Sequence, residues 1–350
     1  MKSKKLSEKI LRSIKSKGFN NITLDPVLET KYILQRSGEN FKKFLFSFYD
    51  LNGNELCLRP DLTIASCIRY LNQKSKKAEK IVYSGQAFRK TFNQKDPIIK
   101  NQIGFEIIGS NTEKEDDKKI IETSLKSLSR LNYRSGNLIL GNVEIFKLLI
   151  NKLDIPKRWR LRLLRHYWRE SYFNDLLKRL ETNSDVDPTI VEIDKKKYQK
   201  MLKQDQSRQI AGRSLNEILT RFNNKIKDPR RAKKGRNVSK IIKEFLKINC
   251  PINQAPNKLN IFFKKYKINI RVQNNYFPVT KNKLAKLNVK FSASFGRQLE
   301  YYTGLVFRID IKDKSKNLNI INGGRYDNLL SDLGSAKKTP AVGAALNLNY

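Results

Sequence analysis

Apolar residues recur at helical spacing from the start of the chain. Leu6, Ile10, Leu11 and Ile14 share one face over residues 5–17 and Gly18 follows, which predicts an amphipathic opening helix with a glycine cap. Residues 22–26 then read as a short extended piece that Pro26 ends or confines to an edge. Residues 44–50 form an apolar, aromatic run of strand type, and Asn52-Gly53 behind it is a hairpin signal, because both central positions of a tight primed turn need positive φ. The returning strand, 55–58, stops at Pro60, and Leu62, Ala65, Ile68 and Leu71 then give a helix.

A second strand pair, 81–89 and 101–108, is joined by a polar loop over 90–100. Alternation in the latter strand puts Gln102, Gly104 and Glu106 on one face and Ile103, Phe105 and Ile107 on the other. Gly104, between two polar side chains, leaves a notch for a ligand. Glu113, Glu115, Asp116 and Asp117 then crowd the start of a helix with an apolar stripe at Ile120, Ile121, Leu125, Leu128 and Leu131, which suits the positive helix N-terminus. From 142 to about 267 the pattern is mostly helical, interrupted near Pro156, Pro188, Pro229 and Pro251. Strand character returns at 289–294, 301–311 and 318–321; residues 323–327 are expected to open a short helix.

Composition narrows the class. With 350 residues, 39% of them hydrophobic, the chain buries a full core in one large domain or two moderate ones and is not disordered. No run of eighteen apolar residues occurs, and Met-Lys-Ser-Lys-Lys leads into an amphipathic helix instead of an apolar signal core, so a cytoplasmic protein is expected. Cys57, Cys67 and Cys250 show no paired spacing and read as free, packed thiols. The formal charge of +39 points toward polyanions, yet lysines are scattered through nearly every segment, which fits solvated faces and disfavours a dedicated nucleic-acid site. One concentrated patch (Lys225, Lys227, Arg230, Arg231, Lys233, Lys234, Arg236, Lys240) reads as an exposed basic loop, with a phosphate-rich partner as the sharper alternative.

Candidate chemistry is narrower still. His166, the one histidine, sits in Arg165-His166-Tyr167-Trp168-Arg169, where a helix-surface or packing role is expected, and no G-x-S-x-G or P-loop pattern occurs. Hydrolytic triads, zinc catalysis and Walker-type nucleotide binding therefore lack parts, and no catalytic residue, metal or cofactor is expected. What remains is a set of polar residues at strands. Asp61 and Glu106 can accept hydrogen bonds from an ammonium or imidazole, Thr63 and Gln102 add neutral contacts, and Arg89 or Arg297 can grip a carboxylate. A zwitterionic amino acid needs that mixture; surface ion pairs at strand ends are the alternative. The stretch from Arg297 through Tyr301, Tyr302 and Gly304 to Phe307 is expected to close the pocket.

Four stretches in order resemble the catalytic core of the histidyl-tRNA synthetases and of their paralogue, the regulatory subunit of short-form ATP phosphoribosyltransferase. They are Leu58-Arg59-Pro60-Asp61-Leu62-Thr63; Gly85-Gln86-Ala87-Phe88-Arg89 with Asn101-Gln102-Ile103-Gly104-Phe105-Glu106; Tyr301-Tyr302-Thr303-Gly304; and Pro340-Ala341-Val342-Gly343. The resemblance implies an α+β, class II aminoacyl-tRNA synthetase-like antiparallel sheet flanked by helices: core over 1–141, a mostly helical insertion over 142–288, core again over 289–350. It implies that Asp61, Thr63 and Gln102 hold the α-ammonium of histidine, that Glu106 and Tyr302 read its imidazole, and that Arg297 with Arg89 faces its carboxylate, Tyr301 standing beside them.

Departures from the synthetase pattern set the expected function. Thr91 stands where synthetases place an ATP-binding glutamate, Tyr350 aligns with an arginine that clamps ATP phosphates, and no anticodon-binding domain is expected. Losing a clamp arginine removes charge stabilisation from the transferring centre. The resemblance then implies a non-catalytic subunit that dimerises through its early helix and strand region. It would join the short catalytic subunit of ATP phosphoribosyltransferase in a hetero-octamer and carry feedback inhibition by L-histidine. The alternative is a minimal histidyl-tRNA synthetase or a tRNA-binding paralogue.

Overall fold

The computed structural model describes residues 2–37, 39–73, 77–91, 93, 97–131, 133–182, 188–203, 209–210, 213–226, 232–284, 286–297, 301–313 and 316–348. The opening periodicity gives α1 (Lys2–Lys15), and Gly18 behind it takes φ +84°, a left-handed conformation that ends the helix without a Cβ clash. Then come β1 (Asn20–Asn21), β2 (Val27–Glu29), α2 (Thr30–Ser37), β3 (Ser47–Tyr49), β4 (Glu55–Leu58), α3 (Leu62–Leu71), β5 (Glu79–Phe88), β6 (Ile99–Ile108), α4 (Glu113–Leu128) and β7 (Ser135–Asn142). The middle of the chain supplies α5 (Val143–Lys152), α6 (Lys157–Arg165), α7 (Glu170–Thr182), α8 (Pro188–Leu202), β8 (Gln209–Ile210), β9 (Arg213–Ser214), α9 (Leu215–Ile226), α10 (Ala232–Leu246), β10 (Asn249–Pro251) and α11 (Ala255–Lys265). The last part is β11 (Lys283–Leu284), β12 (Leu287–Ser292), β13 (Leu305–Asp313), β14 (Lys316–Arg325), α12 (Leu329–Asp332) and β15 (Ala341–Asn347).

Among the described residues, ten strands make one sheet in the order β1-β5-β6-β15-β14-β13-β7-β12-β10, with β11 on β12. Its centre is antiparallel as expected, but β1 runs parallel to β5 and β12 parallel to β7, so the sheet is mixed. Chain-distant strands meet at the middle: β15 lies between β6 and β14, which brings residues near 105 beside residues near 343. A smaller sheet, β2-β4-β3, packs beside it.

Four local expectations change. Residues 39–44 form a 3-10 helix, so the aromatic run is a strand only from Ser47, with Phe48 and Tyr49 exposed. The hairpin exists, but of its two central residues only Gly53 has positive φ (+78°); the Asp50 carboxylate accepts from the Asn52 and Asn54 amides and turns the chain instead. Gly323, Gly324 and Arg325 continue β14 and do not open a helix, because their backbone pairs with β13 and β15; α12 starts at Leu329. Lys233, Lys234, Arg236 and Lys240 of the basic patch lie exposed on α10 and not in a loop, while 227–231 lie outside the described residues.

The insertion is not a separate body. Its strands β10 and β11 join the sheet through β12, which straddles its end, and Trp159, Phe173, Phe245 and Phe263 belong to the same buried cluster as Phe105 and Phe307. Tyr167 stacks on Phe146 with ring centres 3.9 Å apart, and its hydroxyl donates to the Ala293 carbonyl. His166 has the packing role expected: half-buried at the end of α6, edge-on to Tyr172, its pKa lowered by burial and by Arg169, Arg165 and Arg162. All three cysteines are free and buried. Among the described residues no helix is long and apolar enough to cross a membrane.

Both tryptophans of the chain, Trp159 and Trp168, lie in the insertion, so their fluorescence reports on it alone. Phe307→Ala, on β13 in the shared core, is expected to cost about 3–5 kcal/mol. It should move the fluorescence and circular-dichroism unfolding midpoints together. A fluorescence midpoint left in place by the substitution would show an insertion that stands alone.

Candidate functional site

Proline at 60 ends β4, and Asp61 then caps α3, its Oδ1 accepting from the Ile64 amide at 3.1 Å. This places Thr63 in the first turn of α3, facing β6, where its hydroxyl donates to Glu106 Oε1 at 3.0 Å. Arg89, just past β5, donates from Nε to the Pro60 carbonyl at 2.9 Å and sets Nη2 3.7 Å from Asp61 Oδ2. Gln102 on β6 donates to Asn347 Oδ1 of β15 at 2.8 Å.

Glu106 is the most enclosed of the nominated residues, 1% exposed. Besides Thr63, the Tyr83 hydroxyl donates to its Oε1 at 2.5 Å and the Tyr326 hydroxyl to its Oε2 at 2.6 Å. Across the β6–β15 ladder it faces Gly343, where an added Cβ would overlap Oε2. Burial pushes the Glu106 pKa up to about 7, against the hydrogen bonds from Tyr326, Tyr83 and Thr63, which lower it. Burial and the neighbouring carboxylate hold Tyr83 and Tyr326 well above the usual tyrosine range, so both hydroxyls stay donors. The notch at Gly104 is real but taken: an added Cβ there would overlap the Tyr83 ring, its register partner on β5. The space opposite Gly104 seats a protein side chain and not a ligand.

A second set of contacts fixes Tyr326. Arg325, 4% exposed, donates from Nε and Nη2 to Asp117 Oδ1 on α4 at 2.9 and 2.7 Å and from Nη1 to Asp327 Oδ1 at 3.0 Å. Asp327 also accepts from the Thr303 hydroxyl and the Ala341 amide. The Tyr-Tyr-Thr-Gly stretch, the start of β15 and α4 are thus tied around one guanidinium. Tyr301 and Tyr302 pack edge to face, ring centres 4.8 Å apart.

These residues enclose a cavity of about 610 Å³ lined by Asp61, Thr63, Arg89, Gln102, Glu106, Tyr301 and Tyr302. Lys100, Arg308 and the amides of Asn319, Asn322 and Asn347 line it as well. Two carboxyl groups and three cations in one space suit a zwitterion, and the volume exceeds what one amino acid fills. Arg297 does not line it. Its Nε donates to the Tyr167 carbonyl at 3.0 Å, Nη1 lies 3.8 Å from Glu170 Oε1, and the guanidinium stands 4.8 Å from the Phe173 ring centre. Its contacts lie within the insertion, a placement no spacing rule reveals. The sequence reading also missed Tyr83 and Tyr326: Tyr83 meets Glu106 from the neighbouring strand β5 and Tyr326 from the segment after β14, although Tyr326 stood in a stretch already singled out.

The histidyl-tRNA synthetase family model matches residues 1–228 and 231–350. A curated relative from Sinorhizobium fredii (strain NBRC 101917 / NGR234), named ATP phosphoribosyltransferase regulatory subunit, is 28% identical over 346 residues, 93% of this chain and 90% of its own length. A chain of the ATP phosphoribosyl transferase (HisG:HisZ) complex from Thermotoga maritima matches with TM-score 0.53 and 16% identity, over 99% of this chain and 98% of its own. Histidyl-tRNA synthetase from Nostoc sp. PCC 7120 matches with TM-score 0.62 and 15% identity, over 99% of this chain and 69% of its own. At these identities the two structures speak to the fold.

A carboxyl group with its folded pKa raised to about 7 stabilises the fold below its unfolded value near 4.5, and that contribution is lost as pH rises through 7. Between pH 5 and 8 the wild type should therefore lose stability on the order of 3 kcal/mol from this group. Glu106→Gln should flatten that part of the curve, as read by urea titrations at each pH. An identical slope in the variant would place the titration elsewhere.

Proposed function

The chain belongs to the histidyl-tRNA synthetase family, and we propose that within it this protein is a non-catalytic regulatory subunit of ATP phosphoribosyltransferase, with L-histidine as the effector bound in the Glu106 cavity. The observation that carries the reading is the contrast between two halves of the family's pattern. The amino-acid side is built and enclosed: Asp61, Thr63, Gln102 and Glu106 line one cavity, and Tyr302 closes it. On the ATP side, Thr91 replaces the glutamate expected of a synthetase, and its hydroxyl is engaged locally with the Asn93 backbone. The names of curated relatives matched over nine-tenths of their length support the same reading.

In this reading the ammonium of histidine lies by Asp61, Thr63 and Gln102, and the imidazole approaches Glu106, Tyr302 and Tyr326. Glu106 Oε1 already accepts two hydrogen bonds and Oε2 one, which leaves Oε2 as the acceptor for an imidazole N–H. The carboxylate end meets Arg89, with Lys100 and Arg308 as the further cations of the cavity; Arg297, built into the insertion, has no part in it. Feedback requires that histidine bind the active and inhibited assemblies with unequal affinity. The catalytic partner is the short-form catalytic subunit, in a cytoplasmic hetero-octamer. A dimer of this chain uses the early strand region, where Phe48, Tyr49 and Leu51 are exposed.

Phosphoribosyl-ATP formation by the same organism's short catalytic subunit should require this chain and fall on addition of L-histidine. Catalysis indifferent to the chain, together with histidine-dependent ATP–pyrophosphate exchange by the chain alone, would replace this reading with a synthetase.

Calorimetry separates the arginines and the carboxylate. Glu106→Gln should weaken histidine binding by roughly 1.5–3 kcal/mol, since it removes a charged acceptor. Arg89→Ala should weaken it too, while Arg297→Ala should leave affinity unchanged and lower thermal stability. Loss of affinity in the Arg297 variant at unchanged stability would return that residue to the pocket.

A further inference from the structure

The donors that meet Glu106 are all neutral: the hydroxyls of Thr63 on α3, Tyr83 on β5 and Tyr326 beyond β14. Three donors suit an ionised carboxylate, which only accepts; a carboxylic acid would turn one oxygen into a donor itself. Yet among the described residues Glu106 makes no ion pair, and the cations of the cavity stand elsewhere. Arg89 lies 3.7 Å from Asp61, and Arg308 donates to Asp310 at 2.9 Å. Arg308 is also three strands across the sheet, since Glu106 pairs with Gly343, Gly343 with Gly324 and Gly324 with Val306, a span of roughly 14 Å between backbones. Lys100 is exposed and lies toward the other end of β6, roughly 20 Å of strand away.

The other titratable groups around Glu106 add no positive charge. Asp61, at the start of α3, contributes a second negative one, and burial holds Cys67, Tyr301 and Tyr302 in their neutral forms. The closed end of the cavity is therefore shaped for an anion but supplies no cation to match it, and a buried anion is costly unless a cation joins it. A ligand can bring that charge. Imidazole is suited to do so, because its proton comes on and off near neutral pH.

On the reading of L-histidine as the effector, we propose that the cavity takes it as the imidazolium cation, one ring N–H donating to Glu106 Oε2, so that ring and carboxyl together hold a single proton. The proton arrives on the ring or passes to it from Glu106 as the ring enters; either way the bound pair is an imidazolium and a carboxylate. Binding then needs Glu106 without its proton and the ring with one. Glu106 titrates at about 7 in the empty cavity and imidazole at about 6.5 in solution, so the two requirements are best met together between those values. A ring bound in its neutral form would behave differently: affinity would rise through pH 7 and then level off.

The test is titration calorimetry of the full chain with L-histidine from pH 5 to pH 8.5, in buffers of different ionisation enthalpy. Affinity should peak just below pH 7 and fall roughly tenfold by pH 5 and by pH 8.5. Net protons should be released on binding at the acid end and taken up at the alkaline end. Nitrogen-15 NMR of ring-labelled histidine at pH 7.5, where the free ring is mostly neutral, should show both ring nitrogens of the bound molecule protonated. A neutral-ring signal, or affinity that levels off above pH 7, would overturn the shared proton while leaving histidine as the ligand. Absence of histidine binding at every pH would remove the effector reading and this inference with it. In Glu106→Gln the fall in affinity above pH 7 should disappear; should that variant not fold, the wild-type NMR decides alone.

Discussion

A carboxyl group removed from water constrains the centre of this molecule. An unpartnered buried carboxylate costs several kcal/mol, so Glu106 is tolerable only where donors surround it or where it keeps its proton. The fold supplies both conditions. Thr63 comes from α3, Tyr83 from β5, Tyr326 from the segment after β14, and Gly343 on β15 leaves the room. Each comes from a different part of the chain, so the arrangement exists only when β15 has paired with both β6 and β14.

Arg325 is the outer brace of the same arrangement. It adjoins Tyr326 in sequence and is gripped by Asp117 and Asp327, which lie on opposite sides of it in the chain order. Burial raises the Asp117 pKa to about 6, against the Arg325 guanidinium, which lowers it. Asp327 adds Thr303 and the Ala341 amide, so the tyrosine-bearing loop and the start of β15 share one support. A displacement of Tyr302 or Tyr326 would therefore be felt on α4 and β15.

The described residues of the insertion pack against the rest of the chain. Its strands extend the sheet, its aromatic residues fill the same core, and Arg297 leans into it through Tyr167 and Phe173. The arginine's buried Nη2 has no hydrogen-bond partner among the described residues, and its guanidinium lies over the Tyr167 and Phe173 rings. In the family's pattern this residue was expected to face the ligand; here it lies over Tyr167, between α6 and α7, and Phe173 on α7.

What the sequence determined by itself was local or pairwise in character. Periodicity marked α1, α3 and α4 and the β5–β6 hairpin, because amphipathic spacing and alternation are properties of short segments. Alternation on β6 also put Gln102 and Glu106 on one face, which carried the pocket, and ordered motifs carried the family. Tertiary structure alone decided which residues meet across the sheet. The Tyr83 ring fills the space at Gly104 because register pairs those two residues, Tyr326 reaches Glu106 because β14 continues where a helix was expected, and Arg297 turns away because a neighbouring layer offers a better bed. Strand order and side-chain direction are set by contacts between segments far apart in the chain, and a linear pattern holds no record of them.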